Sequence, residues 1–310
     1  MISAYSNKGE GHTESIEWLI RKYNVGGLCF IKGGPVRQAQ LASHYQSLAK
    51  TPLLISQDAE WGLSMRLDSC ISYPRQMALG AIEDEELIRQ MGREIAMQLK
   101  MVGVNMNLAP VLDINNNPKN PVIGSRSFGE DKQNVSRKAM AYFQGMQEEG
   151  VLCSAKHWPG HGDTDKDSHY TLPLIRHSGK RLRNTEMYPF IQVINQGISG
   201  IMTAHLEIPA LDSTSGLASS LSQRITTGVL KEEMGFKGLI ITDALDMAGA
   251  DASLEPGDLE ATAFKAGNDI LLIPSSVPKG ISTIKKEIRR GNLSWERVEK
   301  SCKKILAAKY

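Results

Sequence analysis

At 310 residues and a formal net charge of +2 at pH 7, the chain is long enough for one large domain or two small ones. Its acids and bases are mixed along the sequence, which argues against a basic nucleic-acid face as its main business. Hydrophobic residues make up 41% and the 28 glycines add about 9%, so close to half the chain is apolar, and a charged share of 23% gives no expectation of disorder. No apolar run approaches the length of a membrane span, and no signal peptide is expected ahead of Met1. The four cysteines, Cys29, Cys70, Cys153 and Cys302, form no C-x-x-C pair and are expected as buried, reduced thiols.

In chain order, short apolar runs alternate with amphipathic stretches. Strands are predicted at residues 1–5, 27–31, 52–57, 104–112, 151–156, 200–205, 238–242 and 269–274. Helices are predicted at 13–23, 36–49, 85–101, 132–149, 181–195, 222–234, 259–266 and 278–290, with a last one starting near Ser294 as N-cap. Glycines at 103, 150, 197, 235 and 267 stand where helices should stop, because the left-handed C′ conformation costs glycine nothing. The strands read as continuous apolar runs, such as Leu53-Leu54-Ile55 and Leu239-Ile240-Ile241, which is the pattern of a parallel sheet covered on both faces. Eight β–α units predict an α/β fold, a (β/α)8 TIM-type barrel forming one domain over residues 1–310. No internal repeat, low-complexity tract or linker is found. The start beside a strand and the stop inside a helix suggest a domain cut from a longer chain, which leaves open whether the full-length protein has a further domain.

A barrel of this kind builds its site at the carboxyl ends of the strands. Asp58 follows the third predicted strand, Asp113 and Asn115 the fourth, Lys156-His157 the fifth, His205 the sixth and Asp243 the seventh. One such residue has an ordinary role in a loop about as often as not; five at one rim are harder to explain that way. The densest stretch, 156–169, contains Pro159, Gly160 and Gly162, which disfavour a helix, so a long mobile loop is expected after the fifth strand. The same breakers remove the helical face that His157 and His161 would need to act as a zinc pair. Asp167 and His169 are two apart, a spacing at which a carboxylate orients an imidazole and raises its basicity; the plain alternative is a solvated loop tip. Asp243, leaving a buried strand into a cleft, suits nucleophilic attack on a sugar carbon, with a helix N-cap as the alternative. Asp246 reads as a cap or surface acid.

The run Lys156-His157-Trp158-Pro159-Gly160-His161-Gly162-Asp163-Thr164, followed by Asp167-Ser168-His169, strongly resembles the signature loop of glycoside hydrolase family 3, and within it that of the bacterial β-N-acetylglucosaminidases. Four other blocks resemble the family in order: Gln57-Asp58-Ala59-Glu60-Trp61-Gly62 with Arg66-Leu67, Asn107-Leu108-Ala109-Pro110-Val111-Leu112-Asp113, Ser125-Arg126-Ser127-Phe128-Gly129-Glu130-Asp131, and Ile241-Thr242-Asp243-Ala244-Leu245-Asp246-Met247. Trp61 replaces a usual Gly and Trp158 a usual Phe, and each either stacks on a sugar or packs its loop. The resemblance implies Asp243 as nucleophile, His169 as general acid/base with Asp167 as its partner, and Asp58, Arg126, Lys156 and His157 as contacts to sugar hydroxyls. His205 is held only as a further candidate. An imidazole is neutral once it has given up its proton, whereas a carboxylic acid would leave an anion beside Asp243.

The implied activity is that of a retaining exo-β-N-acetylglucosaminidase acting on small carbohydrates, N-acetylglucosaminides and peptidoglycan-derived muropeptides. No cofactor, metal or nucleic-acid partner is implied, and the implied setting is the cytoplasm or periplasm of a bacterium. Alternatives within the family are a β-glucosidase-type or phosphorolytic enzyme. Outside it stand a metal-dependent barrel hydrolase, motivated by His157, His161, Asp163, Asp167 and His169 in one stretch, and a non-catalytic sugar-binding module.

Overall fold

The computed structural model describes residues 1–251 and 253–310. Seven strands, β1 (Ile2–Tyr5), β2 (Gly27–Lys32), β3 (Leu54–Gln57), β4 (Met106–Asn107), β5 (Leu152–Trp158), β6 (Gly200–Thr203) and β7 (Leu239–Thr242), pair in chain order, each parallel to the next. The helices are α1 (Glu10–Tyr23), α2 (Pro35–Leu48), α3 (Gln76–Gly80), α4 (Glu85–Met101), α5 (Lys132–Glu148), α6 (Gly179–Asn184), α7 (Tyr188–Asn195), α8 (Ala248–Asp251), α9 (Asp258–Ala266), α10 (Val277–Arg289) and α11 (Trp295–Lys309). Their starts are built locally: Asp84 accepts from Glu86 N at 3.0 Å, Asp131 from Asn134 N at 2.7 Å and, as expected, Ser294 from Arg297 N at 3.1 Å. Gly103 and Gly150, after α4 and α5, take φ of 77° and 76°, the left-handed turn that lets the chain leave the helix for the next strand.

Apolar side chains fill both faces of the curled sheet. Inside the curl lie Cys29, Leu54, Met106, Met202, Leu239 and Ile241; outside, Leu28, Phe30, Ile55 and Ile240 pack under helices whose buried faces include Ile88, Ile95 and Leu99 of α4 and Tyr142, Phe143 and Met146 of α5. This two-sided burial is what the continuous apolar runs require, and each fully buried aliphatic side chain contributes roughly 1.5–3 kcal/mol. Of the cysteines, Cys29 and Cys153 are buried, Cys70 is half-buried and Cys302, on α11, is exposed, the last two against expectation; all four are free.

The eighth predicted strand, 269–274, does not form. It makes one bridge, Ile241 to Ile270. The N–H groups of Asp269 and Ile270 both go to Ile240 O, at 2.7 and 3.0 Å, and Leu272 N goes to a side chain, Thr242 Oγ1, at 2.9 Å. Ile273, at φ 44°, is in the left-handed region and cannot continue an extended ladder. The segment still spans the gap between the sheet's edges: the Met1 amino group donates to Leu271 O and Ile273 N to Met1 O, both at 2.8 Å.

Three other expectations change. The run 104–112 yields only the two-residue β4, because Pro110 has no N–H to offer; pairing resumes where Leu112 N reaches Lys156 O at 2.6 Å. The single helix expected at 181–195 is two, broken at Thr185, with Pro189 in the first turn of α7. The stretch expected as a helix at 222–234 is wound as a π-helix from Arg224 to Glu233. Among the described residues no helix is long and apolar enough to cross a membrane.

Candidate active site

A cavity of about 430 Å³ opens where the strands end, and Asp58, Arg126, Lys156, His157, His169 and Asp243 all line it. Six of the seven residues singled out in the sequence thus share one chamber. The seventh, Asp167, is bonded to His169. Apolar side chains, among them Ile31, Met65, Met202 and Leu272, complete the wall.

One side of the chamber is a web of charges. Lys156 Nζ bridges Asp58 Oδ1 at 2.7 Å and Glu60 Oε1 at 2.9 Å. Arg66 also binds Asp58. Arg126 holds Glu60 through both carboxylate oxygens, Nε to Oε2 at 3.0 Å and NH2 to Oε1 at 2.7 Å. Burial works to raise the Asp58 and Glu60 carboxyls, but Lys156 and the arginines outweigh it, holding Asp58 far below the carboxylate range and Glu60 at about 2. Both stay ionised, so Lys156 and Arg126 keep their charge and direction. Glu60 and Arg66 were not singled out from the sequence, although both stand in the block around Asp58; only their bonds show that Glu60 aims Arg126.

Beneath the chamber the fully buried Asp113 accepts three N–H groups: His157 Nδ1 at 2.6 Å, His157 N at 3.2 Å and His161 N at 2.6 Å. The Nδ1 bond fixes the ring of His157 and leaves its Nε2 beside Arg126, 3.4 Å from NH2. His157 and Trp158 belong to β5 rather than to the loop, so the loop begins two residues later than expected. Trp158 is buried edge-on against Phe190, with ring centroids 5.3 Å apart: it packs and does not face the chamber. Trp61 is half-buried, with the Arg75 guanidinium over its ring at 4.4 Å. Gly162 is required by contact, since a Cβ there would lie 1.8 Å from Ile114 O.

Asp243 follows β7, and its backbone is pinned by Asp243 N to Thr203 O at 2.8 Å. Its Oδ1 accepts from Ala244 N at 2.8 Å. Burial would raise this carboxyl, yet His157, His205, the Ala244 N–H and Lys156 together hold it below its ordinary value. The Asp243 carboxylate thus faces the chamber ionised. His205 is buried, bonded to Ser220 Oγ at 2.7 Å and to Ala244 O at 3.0 Å, and sits behind Asp243 rather than in the chamber wall. Asp246 is exposed at the chamber's edge.

In the loop, Asp167 Oδ1 accepts both His169 Nδ1 at 2.7 Å and His169 N at 2.8 Å. The spacing noted in the sequence therefore makes a bonded carboxylate–imidazole pair, in which Nε2 is the ring nitrogen left for chemistry. The residues behind the metal-hydrolase reading are paired separately: His157 with Asp113, His161 with Thr164 and Ser168, Asp167 with His169, Asp163 with His177. Among the described residues one group of three potential ligands comes together, Asp163, His177 and Glu186, with ligand atoms within 4.8 Å of one another. A cation already stands there: Arg181 NH2 lies 3.0 Å from Glu186 and 3.9 Å from Asp163.

The profile described as "Glycosyl hydrolase family 3 N terminal domain" matches residues 8–308. The chain is 34% identical over 282 residues to Beta-hexosaminidase A of Pseudoalteromonas piscicida, covering 84% of this chain and 47% of that protein. It is 30% identical over 288 residues to a Beta-hexosaminidase of Methylobacillus flagellatus, covering 89% and 81%. Among solved structures, a glycoside hydrolase family 3 beta-N-acetylglucosaminidase from Paenibacillus sp. str. FPU-7 superposes with a TM-score of 0.92 at 35% identity, over 99% of this chain and 60% of that one. The chain spans about half the length of the first of these relatives. The cavity at the strand ends, its charged web and the bonded Asp167–His169 pair thus lie on the scaffold these proteins share, and the chain belongs to glycosyl hydrolase family 3.

Proposed function

We propose that this chain is a retaining exo-β-N-acetylglucosaminidase that releases N-acetylglucosamine from peptidoglycan-derived muropeptides, on a (β/α)8 barrel whose eighth stave is the irregular segment 269–274. The observation that carries the reading is that one chamber holds an ionised carboxylate, Asp243, and a carboxylate-backed imidazole, His169. The relatives whose names specify hexosaminidase or N-acetylglucosaminidase activity support the sugar class.

In the first step an Asp243 oxygen attacks the anomeric carbon as the glycosidic bond breaks, and His169 Nε2 gives its proton to the departing oxygen. The products are a covalent glycosyl-Asp243 and the free alcohol, with His169 left neutral. In the second step neutral His169 takes a proton from water, the oxygen attacks the same carbon, and Asp243 leaves as carboxylate, restoring the starting configuration. Asp167 orients the ring through its bond to Nδ1. Asp58, Arg126, Lys156 and His157 grip the hydroxyls of the sugar, and Arg126 owes its direction to Glu60.

The test combines a trap with a leaving-group series. Incubation with a fluorinated glycoside should label Asp243, and Asp243→Ala should abolish turnover while leaving a folded protein. His169→Ala should lose about 10²–10⁴-fold on substrates with poor leaving groups, keep much of its first step on activated aryl glycosides, and gain speed in the second step with azide. Chromogenic β-N-acetylglucosaminide should be turned over far faster than β-glucoside or β-xyloside. Label on another residue, or equal losses for good and poor leaving groups in His169→Ala, overturns the mechanism; preference for the glucoside overturns the substrate.

A further inference from the structure

The Asp167–His169 pair does not hold itself in place. The side-chain bond of His169 goes to Asp167, two residues away on the same exposed loop, and the His169 side chain is 58% exposed. Between them stands Ser168, which is buried and turns the other way. Its hydroxyl lies 3.1 Å from His161 Nε2, and its carbonyl accepts Gly249 N at 3.0 Å. His161 is 1% exposed, and its backbone N–H is fixed on Asp113 at 2.6 Å, the same carboxylate that fixes His157.

Thr164 Oγ1 lies 2.8 Å from His161 Nδ1 and Ser168 Oγ 3.1 Å from Nε2, so each ring nitrogen has one hydroxyl partner. A neutral imidazole donates through one nitrogen and accepts through the other, so in either tautomer the ring bonds both hydroxyls, one as donor and one as acceptor. A continuous path thus runs from the barrel floor to the loop: Asp113, the His161 backbone, the His161 ring, the Ser168 hydroxyl, and then the peptide that carries His169.

We infer that His161 and Ser168 are positioning residues, a latch through which the buried Asp113 sets the height of His169 over the chamber. This rests on the reading of His169 as the acid/base. Neither residue moves a proton to or from the substrate. Their contribution is the geometry of His169 Nε2, and displacement of a reacting group by about 1 Å costs on the order of 10²-fold.

The experiment is a double-mutant cycle on the folded chain, read as kcat/KM for an aryl N-acetylglucosaminide with an activated leaving group and for an alkyl one with a poor leaving group. Ser168→Ala removes one hydroxyl, and His161→Asn keeps a hydrogen-bonding group near Thr164 while losing the bond to Ser168; thermal melting confirms that each variant folds. Each should lose roughly tenfold or more on the poor leaving group and little on the activated one. In a His169→Ala background neither should cause a further loss. Equal losses on both substrates, or losses that multiply with His169→Ala, overturn the latch and leave a purely structural role. His169→Ala measured alone keeps the two readings apart. If that variant shows no leaving-group dependence, the acid/base assignment fails and takes the latch with it. If it shows the dependence and the cycle is additive, only the latch fails.

Discussion

Glu60 is enclosed completely, with Arg126 on both its oxygens and Lys156 on one. Three cations, Lys156, Arg66 and Arg126, face two carboxylates in this web, so removing a carboxylate leaves buried positive charge without a partner. Breaking a buried pair from one side costs about 3–5 kcal/mol. Glu60→Gln should therefore lower unfolding stability by about that much in urea titrations and raise KM, because Arg126 loses its fork; a loss below about 1 kcal/mol would show that the web is solvated and not structural. The pH dependence has a definite sign. The Glu60 carboxyl is depressed from 4.5 to about 2 in the fold, so its contribution is complete above 4.5 and is lost as pH falls toward 2. That part of the acid-induced loss of stability should be missing in Glu60→Gln.

The loop 159–169 has its own titration. Burial first, and His157 beside it, push His161 from 6.5 down to about 4. The folded state therefore holds fewer protons on this ring than the unfolded chain, and stability falls as pH drops from 6.5 toward 4, by on the order of 3 kcal/mol if the whole shift is expressed. His161→Phe should flatten the stability profile across that window relative to the parent; an unchanged slope would mean that the ring is not enclosed in solution. This ring also marks the limit of what the sequence reveals. Asp167 and His169 are legible because their contact is local, and Asp58, Lys156, His157 and Asp243 because they end apolar runs. Glu60 with Arg126, 66 positions apart, and Asp113 with His157, 44 apart, are pairings that only folding specifies. The same applies to elements. A continuous apolar run reports burial, and Asp269, Ile270 and Leu272 are buried in a segment that lies between β7 and Met1 without forming a strand, while β4 is cut short by Pro110. The twofold split at Thr185 and the π-winding of 224–233 leave hydrophobic periodicity nearly unchanged, so no pattern of apolar positions reveals them.

At the scale of the molecule, the end opposite the chamber has to hold what the missing ladder does not. Asp269 lies there, 6% exposed, at the start of the irregular segment. Its Oδ2 accepts Ile240 N and Lys304 Nζ, both at 3.1 Å, and its Oδ1 accepts Ser301 Oγ at 2.5 Å, with Arg297 NH1 at 3.5 Å and Lys231 Nζ at 3.8 Å. One carboxylate thus joins β7, the closing segment, the π-helix and α11. Arg297 adds a bond from NH2 to Asn268 O at 2.7 Å, so α11 is clamped across the gap that an eighth strand would fill. Asp269→Ala removes the acid that, among the described residues, pairs with the three partly buried cations Lys231, Arg297 and Lys304, and leaves the Ile240 N–H unpaired, for an expected loss of about 3–5 kcal/mol. Lys304→Met, which removes a single half-buried partner, should cost no more than about 1 kcal/mol. Because the cluster is at the far rim, the folded fraction of Asp269→Ala should bind and turn over substrate with unchanged KM. Hydrogen exchange should locate the damage, with faster exchange at Ile270, Leu272 and Ile273 and in α11, and little change at β3–β5. Stability within about 1 kcal/mol of the parent would show that the curl of the seven strands closes without this clamp; a raised KM would show that the two rims are coupled through the barrel.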